Sequence, residues 1–153
     1  MKLFVTGGAG FIGSNYVRHV LATSDDEVTV YDALTYAGNL ANLSDLEDDR
    51  RYRFVKGDIT DRAAVEEAMA GHDAVVHFAA ESHVDRSIVS PDEFVHTNCD
   101  GTNVIMDVAR RLEVARVLHI STDEVYGSIE KGTFSETDPL TPRSPYSASC
   151  CLG

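Results

Sequence analysis

Basic residues and cysteines are scarce in this sequence, and long apolar runs are missing. Only 13 Lys and Arg stand against 25 Asp and Glu, which gives a formal net charge of -12 over 153 residues. Because such a surface repels nucleic acid and anionic membranes, we expect neither as a partner. No apolar run approaches the roughly 20 residues that a membrane-spanning helix requires.

Three cysteines, Cys99, Cys150 and Cys151, are too few for a disulfide framework or a four-cysteine metal site. We therefore expect no bound metal and a reducing, cytoplasmic compartment. The first residues enter a strand directly and lack the architecture of a signal peptide. A hydrophobic fraction of 43% indicates one globular domain with a core.

Short apolar runs alternate with segments of helical periodicity along the chain. This pattern predicts strands at residues 3–5, 28–31, 52–55, 74–78 and 117–120, and helices at 11–22, 61–70 and 91–112. The alternation predicts an α/β fold with a doubly wound parallel sheet and helices on both faces. Residues 33–51 are polar and acidic, so we expect a surface excursion there.

A glycine-rich segment joins the first predicted strand to the first predicted helix. Gly7, Gly10 and Gly13 have the spacing that permits a tight turn and close approach of a pyrophosphate to a helix N-terminus. Because the pattern follows a strand and opens a helix, we expect dinucleotide binding rather than a purely structural turn.

Acidic residues end the next two predicted strands. Asp32 follows Gly13 by about 20 residues, the position of an acid that accepts hydrogen bonds from ribose hydroxyls. Its carboxylate would repel a 2′-phosphate, and no arginine follows it, so NAD is favoured over NADP. The alternative is that Asp32 is only a turn residue. Asp58 either meets the adenine, together with Ile59, or caps a helix.

Polar residues follow the fourth and fifth predicted strands, at the edge where open α/β sheets bind ligands. Asp123 and Glu124 are adjacent carboxylates, which are costly to place together unless each has its own role or partner. The alternative is a solvated loop. Near the C-terminus, Ser144 can cap a helix that places Tyr146 and Cys150 on one face, one turn apart.

Five blocks carry a family resemblance: GGAGFIG at 7–13, DALTYAGN at 32–39, AAESHVDRS at 79–87, STDEVYG at 121–127 and SPYSAS at 144–149. Together they resemble the dTDP-glucose 4,6-dehydratase family of extended short-chain dehydrogenase/reductases. The triplet Thr122-Asp123-Glu124 is the most specific part, because related nucleotide-sugar epimerases and decarboxylases generally lack the adjacent acidic pair. The resemblance implies a Rossmann-type domain, bound NAD, a dTDP-glucose substrate, a role in deoxysugar biosynthesis and a homodimer.

The resemblance also implies a three-step reaction. Tyr146 would remove the sugar O4 proton while hydride moves from C4 to NAD. Glu124 would take the C5 proton while Asp123 protonates the departing C6 hydroxyl, and hydride would then return to C6. Thr122 would hydrogen-bond O4, and Ser82 would also contact the substrate.

Beyond the three glycines, the resemblance implies cofactor contacts from Phe11, Ile12, Asp32, Ala33, Leu34, Thr35, Asp58, Ile59, Phe78, Ala79, Ala80, Glu81, Ser82, Thr97 and Tyr146. The roles of His83, Asp85 and Arg86 stay open. A histidine in such a loop is more often structural, and Asp85 with Arg86 could be a plain charge pair.

The sequence departs from the family in two ways. The family lysine that would lower the tyrosine pKa is Cys150 here, and members of the family have about twice this length. We therefore expect residues 1–153 to form an incomplete NAD-binding domain without the C-terminal sugar-nucleotide domain, and to be inactive alone. The alternatives are an epimerase or decarboxylase of the same family and a non-catalytic NAD-binding fragment.

Overall fold

The computed structural model describes residues 1–151, which form one parallel sheet flanked by helices. The strands are β1 (Lys2–Thr6), β2 (Glu27–Asp32), β3 (Tyr52–Lys56), β4 (Ala74–His77) and β5 (Arg116–His119). Their spatial order is β3-β2-β1-β4-β5, and every pairing is parallel. Thr6 lies in register with Tyr31 and with His77, so β1, β2 and β4 all end at one edge of the sheet.

Six α-helices connect or follow the strands: α1 (Phe11–Thr23), α2 (Arg62–Met69), α3 (Val84–Val89), α4 (Pro91–Phe94), α5 (Thr102–Arg111) and α6 (Pro145–Cys150). Two buried clusters show that they cover both faces of the sheet. Val17 of α1 packs with Val5 on one face. Val65 of α2 and Ile105 of α5 pack with Phe4 on the other. The doubly wound arrangement predicted from the sequence is confirmed.

Two predictions of local structure need correction. The helix predicted at 91–112 is interrupted by a π-helical segment, Val95–Gly101, between α4 and α5. The excursion predicted at 33–51 contains a 3₁₀ helix, Leu40–Leu46, in which Leu43 is fully buried against the α1 side of the core. Leu34 and Leu46 of the same segment also pack against this cluster, so the segment is not a simple surface loop. The sequence patterns also missed α3, which is short.

The strand β5 forms one edge of the described sheet and keeps much of its apolar surface exposed. Val117 and Leu118 are exposed, Leu118 by 53%. A cavity of about 690 Å³ lies beside them, between β5 and the helix α1, and His19 and Val20 of α1 also line it. This side of the sheet therefore lacks the cover that the neighbouring strands have.

A buried histidine at the end of β4 links three elements of the core. His77 places Nδ1 2.6 Å from the hydroxyl of Thr6 and Nε2 3.1 Å from the hydroxyl of Thr102. Its ring centroid lies 5.1 Å from that of His119 on β5. Burial, and secondarily His119, lower the pKa of His77 to about 3. His77 is therefore neutral in the folded protein.

This low pKa predicts a loss of stability on acidification. The unfolded chain binds a proton at His77 below about pH 6.5, whereas the folded chain does not until the pH approaches 3. The free energy of unfolding should fall by up to about 1.4 kcal/mol per pH unit below about pH 6.5 because of this group. Urea denaturation of wild type and His77→Gln between pH 7.5 and 5 tests the prediction. A flatter dependence is expected for the variant, and a dependence as steep as that of wild type would contradict the role of His77.

Candidate functional site

A cleft of about 420 Å³ opens at the carboxyl ends of β1, β2 and β4. Most of the cofactor residues expected from the sequence line it: Gly7, Gly10, Phe11, Ile12, Gly13, Asp32, Ala33, Thr35, Asp58, Ile59, Phe78, Ala79, Ala80, Glu81, Ser82, Thr97 and Tyr146. Leu34 does not line the cleft, because its side chain packs against the apolar core on the α1 side of the sheet. The structure therefore brings together residues that are far apart in sequence.

The glycines of the loop leave its backbone without covering side chains. Gly7 has φ +68°, and a Cβ there would lie 2.6 Å from the backbone nitrogen of Ala79. A Cβ on Gly13 would lie 2.3 Å from the carbonyl oxygen of Gly7. These two glycines permit close packing of the loop against β4 and against α1, while the loop backbone faces the cleft.

Gly7→Ala should destabilise the protein more than a matched change at Gly71. Both glycines have positive φ, but a Cβ on Gly71 would meet nothing within 4 Å. Gly71→Ala should cost about 1 kcal/mol from backbone strain alone. Gly7→Ala should cost about 1–3 kcal/mol more, because the new methyl group overlaps backbone atoms that cannot move freely. Urea denaturation of both variants measures the difference, and equal losses would contradict the packing role.

Two large apolar side chains at the start of α1 face the cleft rather than the core. Phe11 is 82% exposed and Ile12 is 64% exposed. The glycine loop places them at the first turn of the helix, beside Gly10 and Gly13. Exposed apolar surface next to unpaired N–H groups of a helix N-terminus suits a ligand with both an anionic and a flat apolar part.

Asp32 holds a turn, which was one of the two roles that the sequence left open, and it also lines the cleft. It ends β2, is only 8% exposed and lines the cleft. Its Oδ2 accepts a hydrogen bond from Ala9 N at 3.0 Å, and its Oδ1 accepts one from Leu34 N at 2.8 Å. The carboxylate thus holds both the glycine loop and the turn after β2. Each oxygen keeps a further lone pair for a hydroxyl in the cleft.

Asp58 also forms a local turn. Its Oδ1 accepts hydrogen bonds from the backbone nitrogen and the hydroxyl of Thr60. The residue that caps α2 is Asp61 instead, whose side chain accepts from Ala64 N. The helix-capping alternative for Asp58 is therefore wrong. Ile59 is buried beneath the cleft and packs in the core on the α2 side of the sheet.

The helix α6 presents Tyr146 to the cleft. Ser144 caps this helix by accepting a hydrogen bond from Ser147 N at 3.0 Å, as the sequence predicts. Burial raises the pKa of Tyr146, and Cys150 and Glu124 raise it further, whereas the hydroxyl of Thr122 lowers it. The helix α6 packs against the turn just beyond β5 that carries Glu124, although Thr122 and Glu124 do not line the cleft themselves.

Asp123 and Glu124 open a 3₁₀ helix, Asp123–Tyr126, just beyond β5. The backbone nitrogen of Glu124 donates to the hydroxyl of Thr122, which orients this turn. Asp123 is exposed, whereas Glu124 is half-buried on the side of Tyr146. The two neighbouring carboxyl groups therefore occupy different environments.

Cys150 lies one turn after Tyr146 on the same face of α6, as predicted. Burial raises the pKa of its thiol, so the group is neutral and contributes no positive charge beside Tyr146. Contact with Cys150 instead raises the pKa of Tyr146. At this position the site lacks the cation that would favour a phenolate.

Asn98, in the π-helical segment, ties α6 to the wall of the cleft. Its amide nitrogen donates to the Glu81 carbonyl at 3.0 Å and to the Ser149 hydroxyl at 2.9 Å. Its carbonyl oxygen accepts from Glu81 N at 2.8 Å. The sequence analysis missed Asn98. The sequence does carry one signal for it. An asparagine is unfavourable inside a helix unless its side chain finds hydrogen-bond partners outside the helix.

The cleft has further lining residues that the sequence analysis missed: Tyr31, Ala37, Gly38, Gly57, Ile120 and Ser121. Position 57 requires a glycine, because a Cβ there would lie 2.2 Å from the hydroxyl of Tyr31. Arg86 pairs with Glu81 and Glu93 in the structure, not with Asp85 as the sequence analysis considered. His83 stands at the cap position of α3 without a side-chain capping bond.

Within residues 1–151, no group of three His, Cys, Asp or Glu side chains is arranged to hold a metal ion. Over the same residues, no helix combines the length and apolar character needed to cross a membrane.

The fold and the cleft together define an α/β protein of the dinucleotide-binding class, with a tyrosine and a carboxylate pair near the cleft. Residues 4–152 match the model of the family described as GDP-mannose 4,6 dehydratase, so the chain belongs to that family.

Similar proteins include a dTDP-glucose 4,6-dehydratase of Streptomyces niveus, 53% identical over 100% of this chain and 47% of that protein. Among solved structures, the dTDP-glucose 4,6-dehydratase DesIV of Streptomyces venezuelae, crystallised with NAD bound, superposes with a TM-score of 0.96 at 54% identity. A UDP-Glc/GlcNAc 4-epimerase of Campylobacter jejuni superposes with a TM-score of 0.92 at 33% identity.

The two solved structures are matched over 99% of this chain and over 49% and 46% of their own lengths. The chain thus spans about half the length of the relatives it matches.

Proposed function

We propose that this chain forms the NAD-binding half of a dTDP-glucose 4,6-dehydratase. The proposal is supported by the cleft at the carboxyl edge of the sheet and by likeness to dehydratases along the whole chain. The observation that carries the dehydratase assignment is the packing of α6, which bears Tyr146, against the turn that bears the half-buried Glu124 and the exposed Asp123.

The residues of the cleft fit NAD. The first turn of α1 offers N–H groups to a pyrophosphate, and the glycines at 7, 10 and 13 let a ligand approach the backbone closely. Asp32 has lone pairs left for ribose hydroxyls, and its charge disfavours a 2′-phosphate. When bound, NAD supplies the acceptor for a hydride that is later returned to the sugar.

The chain's own residues divide the proton transfers. Tyr146 removes the O4 proton of the sugar, with Thr122 hydrogen-bonded to the same oxygen. Half-buried Glu124 takes the C5 proton and returns a proton to C5 after the elimination, so that the product regains its C5–H bond. Exposed Asp123 protonates the leaving C6 hydroxyl, which departs as water, and exchanges protons with solvent. Ser82, on the cleft wall, contacts the substrate.

The alternative function is that of a nucleotide-sugar 4-epimerase, because the solved structure of such an enzyme shares the fold of this chain. An epimerase needs the tyrosine but has no use for a second, adjacent acid and base. The pair Asp123 and Glu124 therefore favours the dehydratase.

The test joins residues 1–149 of this chain to the C-terminal half of the Streptomyces niveus relative, with either lysine or cysteine at position 150. Incubation of the lysine form with dTDP-glucose should give the 4-keto-6-deoxy product, detected by its absorbance in alkali. Inversion at C4 would identify an epimerase and reject the proposal. We expect the cysteine form to be slower by about 10²–10⁴-fold, the usual contribution of general-base catalysis. The 153-residue chain by itself should show no turnover.

A further inference from the structure

An aromatic residue projects from the loop on one side of the cleft. The turn after β2 is closed by a 3.2 Å hydrogen bond from Gly38 N to the Thr35 carbonyl. Tyr36 stands in this turn, between the cleft-lining residues Thr35 and Ala37. Its side chain is 55% exposed.

The guanidinium of an arginine from another segment lies over this ring, and neither side chain lines the cleft itself. Arg86, in α3, places its guanidinium carbon 4.7 Å from the centre of the Tyr36 ring. This distance is within the range of a cation–π interaction. Tyr36 belongs to the loop after β2 and Arg86 to the helix that follows β4, so the contact joins segments from two different strands.

Two carboxylates hold the guanidinium over the ring. Arg86 pairs with Glu93 at 2.9 Å and with Glu81 at 3.7 Å. Glu81 lines the cleft, and its backbone is fixed by the buried amide of Asn98. Arg86 is therefore paired with Glu81 of the cleft wall, whereas Tyr36 belongs to a turn.

We propose that Tyr36 and Arg86 form a strap that links the two walls of the cleft and retains a bound dinucleotide. The inference rests on the proposed NAD binding and deepens it. The contact is non-covalent and partly exposed, so it can open for binding and release. Because opening it costs free energy when the cleft is occupied, the strap slows dissociation of the cofactor.

The experiment follows NADH release from the chain by stopped flow, with an excess of NAD as the competitor and NADH fluorescence as the signal. Tyr36→Leu and Arg86→Met should each raise the dissociation rate about two- to fivefold, the size expected for an exposed cation–π contact. The double variant should be no faster than either single variant, because both remove the same contact. Tyr36→Phe keeps the ring face and serves as the matched control, with an unchanged rate.

Unchanged dissociation rates in Tyr36→Leu and Arg86→Met, or rates whose effects multiply in the double variant, overturn the strap while leaving NAD binding intact. A wild-type chain that does not bind NADH overturns the proposed function and the strap with it. Hydrogen exchange gives a readout without cofactor. The amides of residues 36–38 should exchange faster in Arg86→Met than in wild type, and equal exchange counts against the contact.

Discussion

Replacing Cys150 with lysine is expected to lower the pKa of the Tyr146 phenol, because a nearby positive charge favours its ionised form. In the present chain burial raises this pKa, and Cys150 and Glu124 raise it further. An ammonium one helical turn away would stabilise the phenolate directly. The change converts a site that disfavours the base form into one that favours it.

The measurement is a pH titration by NMR of protein labelled at the tyrosine ring carbons, with Tyr146→Phe used to assign the signal among the six tyrosines. The matched control is Cys151→Lys, which adds the same charge at the residue that follows α6. This control should move the pKa far less. Equal shifts in the two variants, or no shift in folded Cys150→Lys, would show that position 150 does not act on Tyr146.

The second large effect is expected at Asp32, where alanine should weaken NAD binding about 100-fold or more. Hydrogen bonds to a charged group contribute about 1.5–3 kcal/mol each, and a carboxylate that accepts from two ribose hydroxyls loses two of them. The variant also releases Ala9 N and Leu34 N, which Asp32 now holds. Isothermal titration calorimetry with NAD measures the loss of affinity.

A comparison with NADP separates recognition from damage to the loop. Loosening the loop alone would weaken both cofactors equally. Removing the carboxylate also removes its repulsion of a 2′-phosphate, so the preference for NAD over NADP should shrink in Asp32→Ala. An unchanged preference would mean that Asp32 only shapes the turn, which was the alternative open from the sequence.

The sheet could be predicted from the sequence because each strand is a short apolar run and the turns between the elements are marked by characteristic residues such as glycine. Gly7, Gly10 and Gly13 even indicate the edge at which the cleft opens. The helix 91–112 was harder, because the extra residue that makes a π-helical turn leaves no mark in hydrophobic periodicity. Leu43 was missed for a similar reason, since one buried leucine in a polar stretch forms no pattern.

The composition of the site was more predictable than its connections. The tyrosine, the acidic pair and the loop residues belong to motifs, so they could be predicted from the sequence to form one site. The amide bridge of Asn98 and the contact between Tyr36 and Arg86 depend on which segments of the fold become neighbours. Neither is encoded in local spacing, and both required the three-dimensional arrangement.

The exposed side of β5 has a consequence for how the chain behaves in concentrated solution. Within residues 1–151, β5 is an edge strand, so its outer backbone groups and its apolar side chains, such as Val117 and Leu118, are available to another molecule. The net charge of -12 keeps such molecules apart at low ionic strength. Added salt screens that repulsion and leaves the apolar attraction in place, so self-association should grow with ionic strength rather than diminish.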